Sequence, residues 1–158
     1  MKIIGIDPGQ KGAICILLHG KATFYPMPKT PDGIAGIADI VKNNCNGNYH
    51  VFVEKAQAMP KNGAVGMFNY GRGFGEILGI LAYHKAPFTL VHPRTWCKIM
   101  HQGTSADGTA KDRSLSAAKR LFPNTNLFRS LRCKKPDDGF IDALLIAEYG
   151  RRVMSGKA

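Results

Sequence analysis

Residues 1–12, Met-Lys-Ile-Ile-Gly-Ile-Asp-Pro-Gly-Gln-Lys-Gly, restrict the fold more than any other stretch of the chain. An apolar run (Ile3, Ile4, Ile6) closes on a lone carboxylate, Asp7. Pro8-Gly9 turns the chain, and a second apolar run occupies 13–18. This spells a strand, a tight turn and a returning strand, with Asp7 at the carboxyl end of the first. A carboxylate that closes a buried strand is costly unless something positive meets it. An Asp that opens a Pro-Gly turn needs no such partner. This stretch alone leaves both readings open, and the acids further along shift the balance.

Residues 21–25 suit a third strand, reached by a short hairpin turn at Gly20. Pro26, Pro28 and Pro31 then forbid regular pairing. Thr30 suits the cap of a helix with Pro31 at its first position, and Ile34, Ile37, Ala38 and Val41 recur at helical spacing. His50-Val51-Phe52-Val53-Glu54 follows that helix, which makes it the natural parallel partner of the first strand through a crossover. It too ends on an acid. Neighbouring strands lie about 4.8 Å apart, so Asp7 and Glu54 would stand side by side and call for a cation. The alternative for Glu54 is a pair with Lys55 or another base.

Residues 55–63 form a basic loop with an apolar tip at Met59-Pro60. From 64 to 84 the pattern is helical, with Gly71, Gly75 and Gly79 along one face. Each glycine costs a helix roughly 1 kcal/mol against alanine. Their stripe suggests a backbone approaching closely, within the domain or across a dimer; the other reading is a helix broken near 71–75. Residues 88–92 read as a strand, and Pro93 starts a short helix packed through Trp96 and Ile99. A polar loop, 102–109, leads to a helix over 109–121. Its apolar stripe is Leu115, Ala118 and Phe122, and Lys111 continues that line, which would point it to the interior or an open cleft. Arg129, Arg132, Lys134 and Lys135 form a second basic cluster.

Residues 137–149 then read as a buried helix. Asp138 and Asp142 are four apart and share the face that continues through Leu145 and Tyr149. Asp137 and Asp138 have an ordinary explanation as caps or dipole partners. Asp142 lies a full turn inside and has none, so both Asp138 and Asp142 are expected to aim inward.

Asp7, Glu54, Asp138 and Asp142 are thus four acids at special places. Hard oxygen donors without a Cys or His cluster suit Mg²⁺, with Mn²⁺ as substitute. Four carboxylates in one cleft can hold two ions about 3.5–4 Å apart, the arrangement that activates a water and stabilises a leaving 3′ oxygen in phosphodiester hydrolysis. The chain carries 22 Lys+Arg against 11 Asp+Glu, a net +11 over 158 residues. That field favours a polyanion, nucleic acid before a membrane surface. Cys15, Cys45, Cys97 and Cys133 form no CxxC pair, which argues against zinc and a disulfide framework and fits reduced thiols in a cytosol. No apolar run approaches the ~18 residues of a membrane span. The length suits one domain over 1–158.

Several blocks together resemble the RuvC-type Holliday junction resolvases, most of all the phage-encoded branch and its chloroplast relatives. They are the opening Ile-Gly-Ile-Asp-Pro-Gly, Val53-Glu54-Lys55 with the downstream Phe-Asn-Tyr-Gly-Arg, Leu121-Phe122-Pro123, and Asp138-Gly139 followed by Ala-Leu-Leu-Ile-Ala-Glu-Tyr-Gly. The resemblance implies an α/β, RNase H-like fold with a five-stranded mixed sheet flanked by helices. It implies a homodimer that nicks opposed strands of a four-way junction symmetrically, in the cytoplasm of a bacterial or phage-infected cell. The family acids fall on Asp7, Glu54, Asp138 and Asp142 as catalytic and metal-binding residues. The family often has His at the position of Asp138 and Glu at that of Asp142. Lys55, Lys61, Arg72, Lys111, Arg113, Lys134 and Lys135 are the DNA-binding candidates. Bacterial members carry a junction-stacking aromatic where Gln57 stands, which leaves Met59 or Phe68 as candidate wedges. Two other functions fit the same residues: an RNase H-like nuclease on RNA–DNA hybrids, and a non-catalytic branched-DNA-binding protein. A sugar-kinase-like ATPase also begins with an Asp-x-Gly turn but needs two such domains, so no nucleotide cofactor is expected.

Overall fold

The computed structural model describes residues 1–28, 33–44, 47–57 and 63–157. Three strands come first, β1 (Lys2–Asp7), β2 (Ala13–Leu18) and β3 (Lys21–Pro26). Helix α1 (Gly33–Asn44), β4 (Tyr49–Glu54), α2 (Ala64–Tyr83) and β5 (Phe88–Val91) follow. The chain ends in α3 (Pro93–Met100), α4 (Ala110–Leu121) and α5 (Asp138–Met154). The expected caps of α1, Thr30 and Pro31, lie outside the described residues, as do Met59 and Lys61.

The sheet has five strands in the order β3-β2-β1-β4-β5. β1, β2 and β3 run antiparallel, whereas β1 pairs β4, and β4 pairs β5, in parallel. The parallel pairings arise because a helix intervenes between the strands, so each crossover returns the chain in the same direction. His19 and Gly20 both take positive φ, 50° and 76°. Two such residues in succession give the hairpin turn whose twist matches its strands.

Alternation along the strands divides the core in two. Ile3, Cys15, Leu17 and Phe52 face α3, α4 and α5. Ile4, Ile6, Ile14, Val51 and Val53 face α1 and α2. α5 is buried along most of its length and crosses β1 at closest range. A Cβ at Gly5 would collide with the Ala143 carbonyl, and one at Gly150 would collide with the Phe52 ring. Glycine at these positions lets the helix backbone lie directly on the sheet.

Of two expectations about the helices, the one about the α2 glycines needs correction. α2 is continuous through its glycines, yet nothing lies within 4 Å of a Cβ added at Gly71, Gly75 or Gly79. No backbone of the same chain approaches that face among the described residues. α4 buries Ser114, Ala117 and Ala118, while Leu115 and Phe122 are only half-buried. Ala118 of the expected stripe is thus buried and Leu115 and Phe122 pack against the core at its margin, while Ser114 and Ala117 sit as deep because α4 packs closely on α5. Among the described residues, no helix is long and apolar enough to cross a membrane.

Candidate active site

The pleat decides where the strand-end acids point. Asp7 lies two residues beyond Gly5 and four beyond Ile3, so it stands on the α5 side of β1. Glu54 follows Phe52 onto the same side of β4. Ile6 pairs Val53, so the two acids come one residue later at the carboxyl ends of adjacent parallel strands. α5 then brings Asp142 to them, because the neighbouring Ala143 is the residue seated on Gly5.

Electrostatics report this convergence. The carboxyl of Asp142 is pushed up to about 7, first by burial and then by Asp7 and Glu54, against a hydrogen bond with Ser114 that favours the ionised form. Burial also pushes Glu54 up to about 7, opposed by a hydrogen bond from Trp96 and helped by the charge of Asp7. Asp7 is raised by burial, although the Gly9 amide donates to its Oδ1 at 2.9 Å. That bond makes Asp7 the turn-former as well, so both readings of the residue hold. Among the described residues, none of these three carboxylates forms an ion pair.

Asp138 departs from expectation. Its side chain is 51% exposed and is ion-paired with Lys111. It is the first residue of α5 and lies on the open side of the cleft, although Gly139 and Phe140 beside it are buried, whereas Asp142 one turn later is half-buried. Lys111 therefore meets the open cleft, not the interior. Asp137 caps the helix, accepting from the Phe140 amide at 3.0 Å, and is held by Arg129 at 2.7 Å.

The cleft has a volume of about 660 Å³, and Asp7, Asp138, Asp142, Lys111, Lys134 and Lys135 are among the residues that line it. Of the other DNA-binding candidates, Lys55 is exposed just beyond Glu54. Arg72 is exposed on α2 and 3.4 Å from Glu76. Arg113 is half-buried, and its Nε is buried without a hydrogen-bond partner. Phe68 is 69% exposed on α2.

Three functional neighbours escaped the sequence reading. Trp96 donates from Nε1 to Glu54 Oε2 at 2.7 Å. A buried indole N–H needs an acceptor, and that was the signal available. Ser114, buried within α4, bonds to His101 at 3.0 Å and also influences Asp142. The Tyr70 hydroxyl is pushed up to about 12 by burial and by the charges of Glu54 and Asp7.

Among the described residues, no three acidic, histidine or cysteine side chains lie close enough to enclose a metal ion. The expected four-ligand cluster is thus not assembled. Each acid has its own partner: the Gly9 amide at Asp7, the Trp96 indole at Glu54, Ser114 at Asp142 and Lys111 at Asp138. The donor chemistry of Asp7, Glu54 and Asp142 still fits a hard divalent cation. They offer oxygen only, they are partly desolvated, and among the described residues none of them is ion-paired.

No family model and no curated protein matches this sequence. Solved structures do match its fold. One is T. thermophilus RuvC in complex with Holliday junction substrate, with a TM-score of 0.65 and 16% identity over 100% of this chain and 98% of that one. Another is a Thermus thermophilus RuvC structure, with a TM-score of 0.64 and 18% identity at the same coverage. The shared property is the RNase H-like fold, a five-stranded mixed sheet flanked by helices.

Proposed function

We propose that this chain is a metal-dependent endonuclease of the RuvC type, which cuts four-way DNA junctions as a homodimer. The observation that carries the proposal is the mutual influence of Asp7, Glu54 and Asp142, which come from three distant segments to the carboxyl edge of two parallel strands: Asp7 and Glu54 raise the Asp142 carboxyl, and Asp7 raises that of Glu54. Among the described residues none of the three is ion-paired. Carboxylates so placed serve a divalent ion better than they serve stability. The match to a RuvC bound to a Holliday junction supports branched DNA as the substrate.

Asp7, Glu54 and Asp142 would hold Mg²⁺, with Asp138 the fourth candidate. A bound divalent ion would polarise a water towards hydroxide and neutralise charge on the scissile phosphate. The chain's own residues do the rest. Trp96 fixes one oxygen of Glu54 and leaves the other as its free donor. Lys111, Lys134 and Lys135 line the cleft and hold strand phosphates there. A DNA phosphate competes with Asp138 for Lys111.

Incubation with a synthetic four-way junction, with and without Mg²⁺, tests this reading. We expect paired nicks at symmetric positions, only with the ion present. Asp7→Asn should bind the junction and cut nothing. Preferential cutting of an RNA–DNA hybrid, or strand integrity unaffected by any metal, overturns the proposal.

A further inference from the structure

We propose that Leu131 is an apolar wedge that enters an opened base step of the branched DNA lying across the cleft. This inference rests on the reading above and concerns which side chain meets the nucleobases. Leu131 belongs to the segment between α4 and α5, and the neck of that segment is tied down. Leu127 is buried in the core, and the Asp137 amide donates to its carbonyl at 2.8 Å. Arg129 grips Asp137 with two bonds, 2.7 and 3.1 Å. The same guanidinium lies 5.5 Å from the centre of the Phe140 ring, which stacks on Phe24.

Above this neck the chain makes one tight turn. The Cys133 amide donates to the Ser130 carbonyl at 3.1 Å, which leaves Leu131 and Arg132 at the apex. Leu131 is fully exposed, at 103% of its reference area. A single exposed leucine is ordinary on a protein surface. This one stands at the tip of an anchored turn, beside the exposed Arg132, Lys134 and Lys135. Cys133, Lys134 and Lys135 are also a wall of the cleft that Asp7, Asp138 and Asp142 line.

Those cations seat phosphates, and an apolar side chain between them gains only by leaving water. The apolar surface next to a phosphate backbone is the face of a base. Steps in a continuous duplex are closed by stacking, whereas an unpaired or strained step admits a leucine at lower cost. The local charge around Leu131, from the exposed Arg132, Lys134 and Lys135, favours a polyanion over the same basic turn of a second copy as occupant.

The test uses the full-length protein carrying Asp7→Asn, which prevents cutting. Its DNA is a four-way junction with 2-aminopurine beside the branch point, compared with a linear duplex of the same composition. Binding by the Asp7→Asn protein should raise the fluorescence. Adding Leu131→Ala should abolish most of that rise and weaken junction binding roughly tenfold, with duplex binding unchanged. Leu131→Met should restore both, and Phe68→Ala should leave both intact. An undiminished rise in Leu131→Ala, equal losses on junction and duplex, or no rise in the Asp7→Asn protein although it binds, overturns the wedge. So does a loss confined to Phe68→Ala, or to the binding of anionic vesicles. Failure of the wild-type chain to bind or cut the junction removes the underlying reading instead, and is seen in a separate lane.

Discussion

At the scale of single residues, Glu54 and Asp142 hold their protons to about pH 7 in the folded chain. Ordinary values are 4.5 and 3.8. Between those limits the folded state binds more protons than the unfolded state, so these groups lower stability as pH rises through the window. Below the ordinary values both states are protonated and the penalty vanishes. Asp142→Asn should therefore raise the melting temperature at pH 8 by a few degrees, make no difference near pH 4, and cut no DNA. Thermal unfolding of wild type and variant across pH checks the sign; equal melting at pH 8 would contradict it. Mg²⁺ should in turn stabilise the wild type at pH 8 and lose most of that effect in the variant. Asp7, Glu54 and Asp142 were legible in the sequence because a carboxylate at a strand end or inside a helix is conspicuous. The exposure of Asp138 was not, since helical spacing gives a face but not where along that face the open cleft begins. The Trp96–Glu54 bond joins residues 42 apart, and no local pattern encodes it.

At the scale of elements, α5 and α2 use glycine in opposite ways. Gly5 and Gly150 exist because α5 lies against the sheet at backbone distance. Gly5→Ala should cost about 1–3 kcal/mol in urea unfolding and lower activity by displacing Asp142. Gly75 meets open space, so Gly75→Ala should be neutral or stabilise α2 by up to about 1 kcal/mol. If that face seats a second copy of the chain, the same variant should weaken self-association in sedimentation, and unaltered association would place the dimer contact elsewhere. The glycine stripe was visible in the sequence, but whether its partner lay within the chain was not. α4 was legible as a helix, with Thr109 and Asp112 forming a reciprocal cap. Its apolar stripe through Ala118 was legible too, whereas the burial of Ser114 and Ala117 was not, because they carry little hydrophobic signal.

At the scale of the molecule, strand order followed from the chain itself: hairpins give antiparallel neighbours and helical crossovers give parallel ones. The function of the +11 field is a matter of the whole surface. Log affinity for DNA should fall linearly with log salt, with a slope set by the phosphates contacted. Lys134→Ala with Lys135→Ala should make that slope shallower on every DNA form, and an unchanged slope would remove the two lysines from the interface. Which base step is read is not encoded in charge at all; under the wedge proposal it would depend on where Leu131 stands among the cations.

The seating of α5 on β1 also bears on how the protein is made. A polypeptide still emerging from the ribosome, completed as far as residue 137, already carries all five strands and the first two acids. It lacks Asp142, and it leaves Phe52 and its neighbours bare where the last helix belongs. A chain stopped there should be insoluble, and under the proposed function it should cut no DNA until α5 is added.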